Sequence, residues 1–240
     1  VTGGTAPVQS VVADTLRPVA RALVIGNSDG IGLALSRRLL DDGWQVVGLS
    51  RRAAPLDHPA YAHHTRDVTD PGYPDVLAGI GRVDLCVYAA GVGDLLELPD
   101  LAPQTRALEV NLLGLARTAQ AVLPEMLATG SGHLVGLSSL ADALISPQAP
   151  GYAASKAGMI SYLRGLAGAV RGTGVAVTCV RFGFVDTKMA KSPVKPALLS
   201  VDEAVELLLR CLRDRPTTLS RPRRMAAATT VLRLLAVLRR

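Results

Sequence analysis

The sequence predicts an α/β fold: a single domain built on a doubly wound parallel sheet with helices on both faces. Three observations carry the prediction. Short apolar runs bounded by turn residues alternate with stretches of helical periodicity. The length, 240 residues and 25.1 kDa, suits one large domain with a substantial core. Hydrophobic residues make up 49% of the chain and aromatic ones only 3%, so the core is built from Ala, Val, Leu and Ile, as in parallel strands covered by helices.

The elements follow in order. Residues 1–20, which contain VTGGTAPVQSVVADTLRP, are expected to form an extension; they lack a basic start followed by a long apolar run, so a secretory signal is not expected. The domain then spans 21–240. Strands are predicted at 22–25, 46–49, 83–89, 133–138 and 175–180, with a weaker one at 61–65, and helices at 31–40, 105–128 and 152–171. The segment DVTDPGYPDVLAGIGRVD holds two prolines and leaves room for only one or two helical turns. Residues 188–215 read as a substrate-covering loop, KMAKSPVKPALL, followed by an apolar helix opened by the capping box Ser200-x-x-Glu203. Residues 217–240 read as a last strand in TTLSRP and a basic amphipathic helix from about Arg224 to Arg240. Alternation of this kind implies right-handed βαβ units, and in such sheets ligands bind at the carboxyl ends of the strands.

The first such end carries GNSDGIG. Gly26, Gly30 and Gly32, with Ser28, Asp29 and Ile31 among them, let a backbone approach a pyrophosphate at the start of a helix. The second strand ends Leu49-Ser50-Arg51. An acid at this place holds a ribose diol, whereas Arg accommodates a 2′-phosphate, so Ser50 and Arg51 favour NADP(H) over NAD(H). Asp29 argues the other way unless it caps the helix. Asp67, in Arg66-Asp67-Val68, is placed either to accept from an adenine amino group or to cap a turn. Ala90 and Gly91 are small enough for a ribose to pass close to the backbone.

Tyr152 and Lys156, in GYAASKAGM, share a helix face. Taken alone such a pair is commonly a solvated surface. The wider pattern alters that reading. GNSDGIG, RDVTD, YAAG, VNLLG, LSSLAD, YAASK and RFGFVDT occur in the order found in the short-chain dehydrogenase/reductase family, which residues 21 to about 190 resemble. The resemblance implies a Rossmann fold and assigns roles by position. Tyr152 matches the general acid/base, Lys156 the residue that lowers its pKa and binds the nicotinamide ribose, and Ser139 the hydroxyl that orients the substrate. Asn111 matches the asparagine that holds a relay water. In GFVDT, Gly183, Val185 and Thr187 match the segment that contacts the nicotinamide. The chemistry agrees with these roles, because a phenol near pKa 10 is a poor base at neutral pH without a cation beside it.

Some positions depart from the family pattern. Ile25 stands where a Thr is usual, Tyr88 and Ala89 replace two asparagines, so that a structural hydrogen bond beneath the cofactor is expected to be missing, and Phe182 replaces a proline. None of these residues carries the acid–base chemistry.

The expected activity is therefore an NADP(H)-dependent oxidoreductase of the carbonyl reductase or ketoreductase type, acting on a moderately hydrophobic ketone or secondary alcohol, in the metabolism of a high-GC bacterium. Two alternatives remain at this point: a redox-neutral epimerase, cyclase or dehydratase using the same tyrosine, and a nucleotide-binding protein without turnover. The pocket is expected after Gly91, after Ser139 and in 188–199, with Asp94, Glu97 and Asp142 as polar contacts. The net charge is +6, but the last 26 residues hold seven Arg and no acid, which leaves −1 for the rest and argues against a nucleic-acid partner. Cys86, Cys179 and Cys211 lie in separate apolar runs and read as buried thiols in a cytoplasmic protein. The adjacent His63 and His64 suit no single metal, and no metal is expected. A homodimer or homotetramer is implied by the resemblance. The apolar, Arg-flanked C-terminal helix suits packing on the domain or a subunit, or peripheral contact with an anionic membrane.

Overall fold

The computed structural model describes residues 19–143, 145–189 and 195–227. Almost all of the expected extension at 1–20 and most of the expected C-terminal helix lie outside the described residues; helical backbone is seen at 223–227.

Seven strands form one parallel sheet in the order β3-β2-β1-β4-β5-β6-β7: β1 (Arg21–Ile25), β2 (Gln45–Ser50), β3 (Tyr61–Thr65), β4 (Leu85–Tyr88), β5 (Gly132–Ser139), β6 (Val175–Phe182) and β7 (Thr218–Arg221). The chain winds outward in one direction through β2 and β3 and in the other from β4 to β7. The topological switch therefore falls between β1 and β4, where a crevice opens at the strand ends. The central strands are apolar on both faces, as LCVY in β4 illustrates, because helices cover both sides.

The helices are α1 (Gly30–Asp41), α2 (Tyr73–Ile80), α3 (Ala102–Ala107), α4 (Gly114–Ala128), α5 (Pro150–Ala169) and α6 (Val201–Asp214). One core layer packs α2, α4 and α5 on the sheet through residues such as Tyr73, Leu115, Met126, Met159 and Leu163. The opposite layer packs α1 and α6 through Leu35, Leu39, Val205 and Leu208. Helix α2 is two turns long, in keeping with its prolines.

The helix expected at 105–128 is different. It starts at Ala102, since Pro103 falls in the first turn, where its missing N–H costs nothing. A π turn at Leu108–Leu113 then separates α3 from α4. At α6 the capping box forms in full: Ser200 Oγ accepts from Glu203 N at 3.1 Å, and Glu203 Oε2 accepts from Ser200 N at 2.7 Å.

The amino edge of the sheet is closed by glycine turns. Gly130, before β5, and Gly174, before β6, both have positive φ, and a Cβ on Gly174 would sit 2.0 Å from the Gly130 carbonyl oxygen.

Candidate active site

The glycine loop links β1 to α1. Gly26 has φ of 84°, and a Cβ there would lie 2.5 Å from the backbone nitrogen of Ala90, so only glycine lets the ends of β1 and β4 approach. A Cβ on Gly32 would lie 2.3 Å from the Gly26 carbonyl oxygen, which keeps α1 tight against the loop. Asp29 caps α1, its Oδ1 accepting from Gly30 N at 2.8 Å. Its Oδ2 is held by Lys188 Nζ at 2.6 Å, and this bond does most to depress the Asp29 pKa. Ser28 on the loop and Ile31 in the first turn of α1 are partly exposed.

At the end of β2, Ser50 is buried and donates to the Arg52 carbonyl at 2.7 Å, while Arg51 is exposed. Beneath them runs a polar chain absent from the sequence reading. Asn27 Nδ2 donates to the Tyr61 hydroxyl at 2.8 Å, which contacts His63 Nδ1 at 2.6 Å. A Cβ on Gly48 would fall 2.1 Å from Asn27 Nδ2, so β2 must be bare at that point. Asp67 takes the turn-capping role: Oδ1 accepts from Thr69 N and Thr69 Oγ1, both at 2.9 Å, and Oδ2 from Arg106 at 2.5 Å. Val68 is buried beneath it in the core.

Tyr152 and Lys156 lie on the first turns of α5 and face the end of β5, which is terminated by Ser139. The Lys156 ammonium is 5.7 Å from the centre of the Tyr152 ring and donates to the Leu137 carbonyl at 2.9 Å. Burial pulls its pKa down to about 8. The Tyr152 phenol is pushed up by burial, opposed by a hydrogen bond from Ser139 and reinforced by the charge of Asp142. Burial is the largest influence on the phenol, and the Lys156 ammonium is also held by a backbone carbonyl. Gly93 underlies the ring, since a Cβ there would come within 2.6 Å of Tyr152 Cδ2.

Asn111 sits inside the π turn, fully buried. Its Oδ1 accepts from Val92 N at 2.9 Å, and its Nδ2 donates to Val92 O at 2.9 Å and to Ser155 Oγ at 2.8 Å. The side chain therefore ties the π turn to the segment after β4 and to α5, with both amide hydrogens used and one lone pair of Oδ1 left over. Tyr88, which stands in place of a family asparagine, makes a bond of its own. Its hydroxyl donates to the Val110 carbonyl, one residue before Asn111, and so joins the end of β4 to the π turn.

The segment after β6 folds across the glycine loop and Gly91. A Cβ on Gly30 would touch the Thr187 methyl at 3.2 Å, and one on Gly91 would meet Met189 Cε and Asn111 Oδ1 at 3.4 Å and Lys156 Nζ at 3.6 Å. The base of this segment is fixed where Val185 pairs with Leu199. Gly183 donates to the Arg221 carbonyl at 2.8 Å and supports the same corner. Ala90, Gly91, Asn111, Ser139, Tyr152, Lys156 and Thr187 thus meet at one edge of the sheet. Arg51 and Asp67 lie further out along that edge, at the ends of β2 and β3.

The model of the short chain dehydrogenase family matches residues 20–197. The chain belongs to the short-chain dehydrogenase/reductase family. An uncharacterized oxidoreductase of Myxococcus xanthus is 33% identical over 234 residues, covering 89% of this chain and 92% of the relative. The cis-4-hydroxycyclohexanecarboxylate dehydrogenase of Sinomonas cyclohexanicum is 32% identical over 186 residues, 70% of this chain and 74% of that one. Among solved structures, a short-chain dehydrogenase from Streptomyces avermitilis superposes with a TM-score of 0.78 at 26% identity, covering 91% of this chain and 93% of that one. One from Burkholderia cenocepacia, in complex with NADP, shares the fold with a TM-score of 0.80 at 24% identity, covering 89% and 92%.

Within this short-chain dehydrogenase/reductase, Gln104 organises the site without having been singled out from the sequence. Its Nε2 donates to the Asp94 carbonyl at 3.1 Å and its Oε1 accepts from Gly151 N at 3.0 Å, joining the loop after β4 to the start of α5. A buried Gln in an amphipathic stretch is the only signal that marks it. Among the described residues no cluster of three His, Cys, Asp or Glu is placed to hold a metal ion. No described helix is long and apolar enough to cross a membrane.

Proposed function

We propose that the protein transfers hydride between NADP(H) and a ketone or secondary alcohol, as a carbonyl reductase. The observation that carries the reading is the convergence of Ser139, Tyr152 and Lys156 beside Gly91 and the glycine loop, at the switch between β1 and β4. The residues fit a nicotinamide dinucleotide. Gly26 and Gly32 are cradles that a Cβ would fill, the start of α1 favours an anion, and Asp29 is neutralised by Lys188. Exposed Arg51 beside Ser50 supports a 2′-phosphate and hence NADP(H).

A nicotinamide held there supplies or accepts the hydride. The chain does the rest. Tyr152 gives its proton to the carbonyl oxygen as charge builds on it, and takes a proton from the alcohol in reverse. Ser139 donates a hydrogen bond to the same oxygen and so places it against the phenol. Lys156 keeps a positive charge one turn away, where it also suits a ribose hydroxyl. Asn111 holds the π turn to Val92 and Ser155, and Asp67, Ala90, Gly183 and Thr187 are placed to wall the nucleotide, with Val68 and Val185 buried behind them.

A moderately hydrophobic substrate is supported by Leu95, Leu98, Leu101 and Ile145, all exposed on the two loops that frame the site and are joined by Leu96 N donating to the Gln148 carbonyl at 2.7 Å. The Sinomonas relative, named for a hydroxylated carbocycle, points the same way. Exposed Leu108, Leu113 and Leu127 along the π turn and α4 suit subunit packing, so we take the working form to be a cytoplasmic homodimer or homotetramer.

The test is binding of NADPH and NADH to wild type and Tyr152→Phe, followed by nicotinamide absorbance with a panel of ketones. NADPH is expected to bind both proteins, with turnover in the variant cut by about 10²–10⁴-fold. NADPH that binds wild type and is never consumed would transfer the reading to a redox-neutral reaction.

A further inference from the structure

The turn that follows Ser139 carries a buried charge with an unusual partner. Residues Leu140–Ala143 form one 3₁₀ turn, closed at its start by Ala141 N donating to Ser139 Oγ at 3.1 Å. The carboxylate of Asp142 hangs from this turn with its side chain only 2% exposed. Arg181, on β6, grips it from across the sheet: Nε donates to Oδ2 at 2.5 Å and Nη2 to Oδ1, a fork meeting a carboxylate along both edges. The guanidinium is 14% exposed and its Nη1 reaches Ser220 Oγ on β7 at 3.4 Å. Arg181 stands opposite Ser138 in the β5–β6 ladder, one position before Ser139.

We propose that Asp142 and Arg181 are positioning residues of the acid–base site: the pair clamps the Ser139 turn to β6 and holds a fixed carboxylate on the Ser139 side of Tyr152. The inference rests on the reductase reading for its chemistry, though the clamp itself is a matter of geometry. A buried ion pair adds little fold stability over an apolar pair of equal volume. Its consequence lies in where it puts the charge. Among the described residues, the other titratable or charged groups near this pair include Lys156 and Arg164 on α5, Cys179 beside Arg181 on β6, and Asp94 on the loop whose Gly93 underlies the ring. Burial keeps the Cys179 thiol neutral, its pKa raised to about 12. Asp142 opposes ionisation of the phenol and Ser139 favours it, so one turn carries both influences and the clamp fixes their ratio. Burial is the larger influence on the phenol, and the carboxylate adds to it in the direction of the proton-donating form.

The test is a spectrophotometric titration of tyrosinate, with Tyr152→Phe subtracted, on the full-length protein with and without NADP⁺, alongside the pH dependence of kcat/KM. Asp142→Asn removes the charge and is expected to lower the Tyr152 midpoint. Arg181→Met leaves the carboxylate uncompensated at the pH where the phenol titrates and is expected to raise it, while Arg181→Lys restores it toward wild type. Should the single variants fail to fold, the double variant Asp142→Asn/Arg181→Gln keeps a neutral hydrogen-bonded pair, and its midpoint is expected below that of wild type. Equal midpoints in wild type and in whichever of these variants fold would overturn the proposal. The titration needs no turnover, so the order of the midpoints decides the clamp even if no ketone is reduced. A wild type that binds NADPH and never consumes it overturns the reductase reading alone.

Discussion

Gly26 shows how little room the fold leaves at its switch point. With positive φ and the Ala90 nitrogen 2.5 Å from where a Cβ would stand, Gly26→Ala must move backbone, not a side-chain tip. Loss of NADPH binding, measured by fluorescence, is expected together with a lower unfolding midpoint. His133 shows the opposite case, a residue whose chemistry matters only to the fold. It is buried on β5, bonded to Thr178 Oγ1 at 2.8 Å, and burial lowers its pKa from 6.5 to about 4. The folded state therefore binds fewer protons than the unfolded one between these values. Stability on the order of 3 kcal/mol is present above pH 6.5 and lost as pH falls toward 4. Denaturant melts from pH 7 to 4 are expected to show this slope, and His133→Gln is expected to flatten it.

The elements were legible where one signal dominated. The strands stood out because parallel strands buried on both faces are continuous apolar runs, and α6 because Ser200 and Glu203 spell its cap. Ser200→Ala is expected to cost about 1 kcal/mol and to lower the melting temperature by roughly 2–4 °C, read by circular dichroism. The π turn was invisible. One extra residue in a helical turn leaves apolar spacing almost unchanged, and Pro103 hid the true start of α3. Yet that turn places Asn111, held by Val92, Ser155 and the Tyr88–Val110 bond nearby, and π turns recur at such places.

At the scale of the whole molecule, the order of motifs along the chain pointed to the family better than any single residue did. The juxtaposition of Ser139, Tyr152 and Lys156 was legible because it needs only a strand end, named through the family resemblance, and one helix face. Contacts between distant segments were not found. Gln104 with Gly151, Arg106 with Asp67, Lys188 with Asp29 and Arg181 with Asp142 each join residues more than thirty positions apart, and nothing in periodicity pairs them. The parallel topology puts all these contacts that touch the site at one edge. The glycine turns at the other edge bear on the fold alone. Gly174→Ala is expected to lower soluble yield and thermal midpoint while the molecules that do fold keep wild-type NADPH affinity.

That division also decides how the protein could be fastened to a surface. Gly43 and Gly172 lie in turns at the edge away from the site, and a Cβ on either would meet no atom within 4 Å. A linker spliced into either turn would anchor the molecule by its back, leaving the cleft open to the surrounding solution.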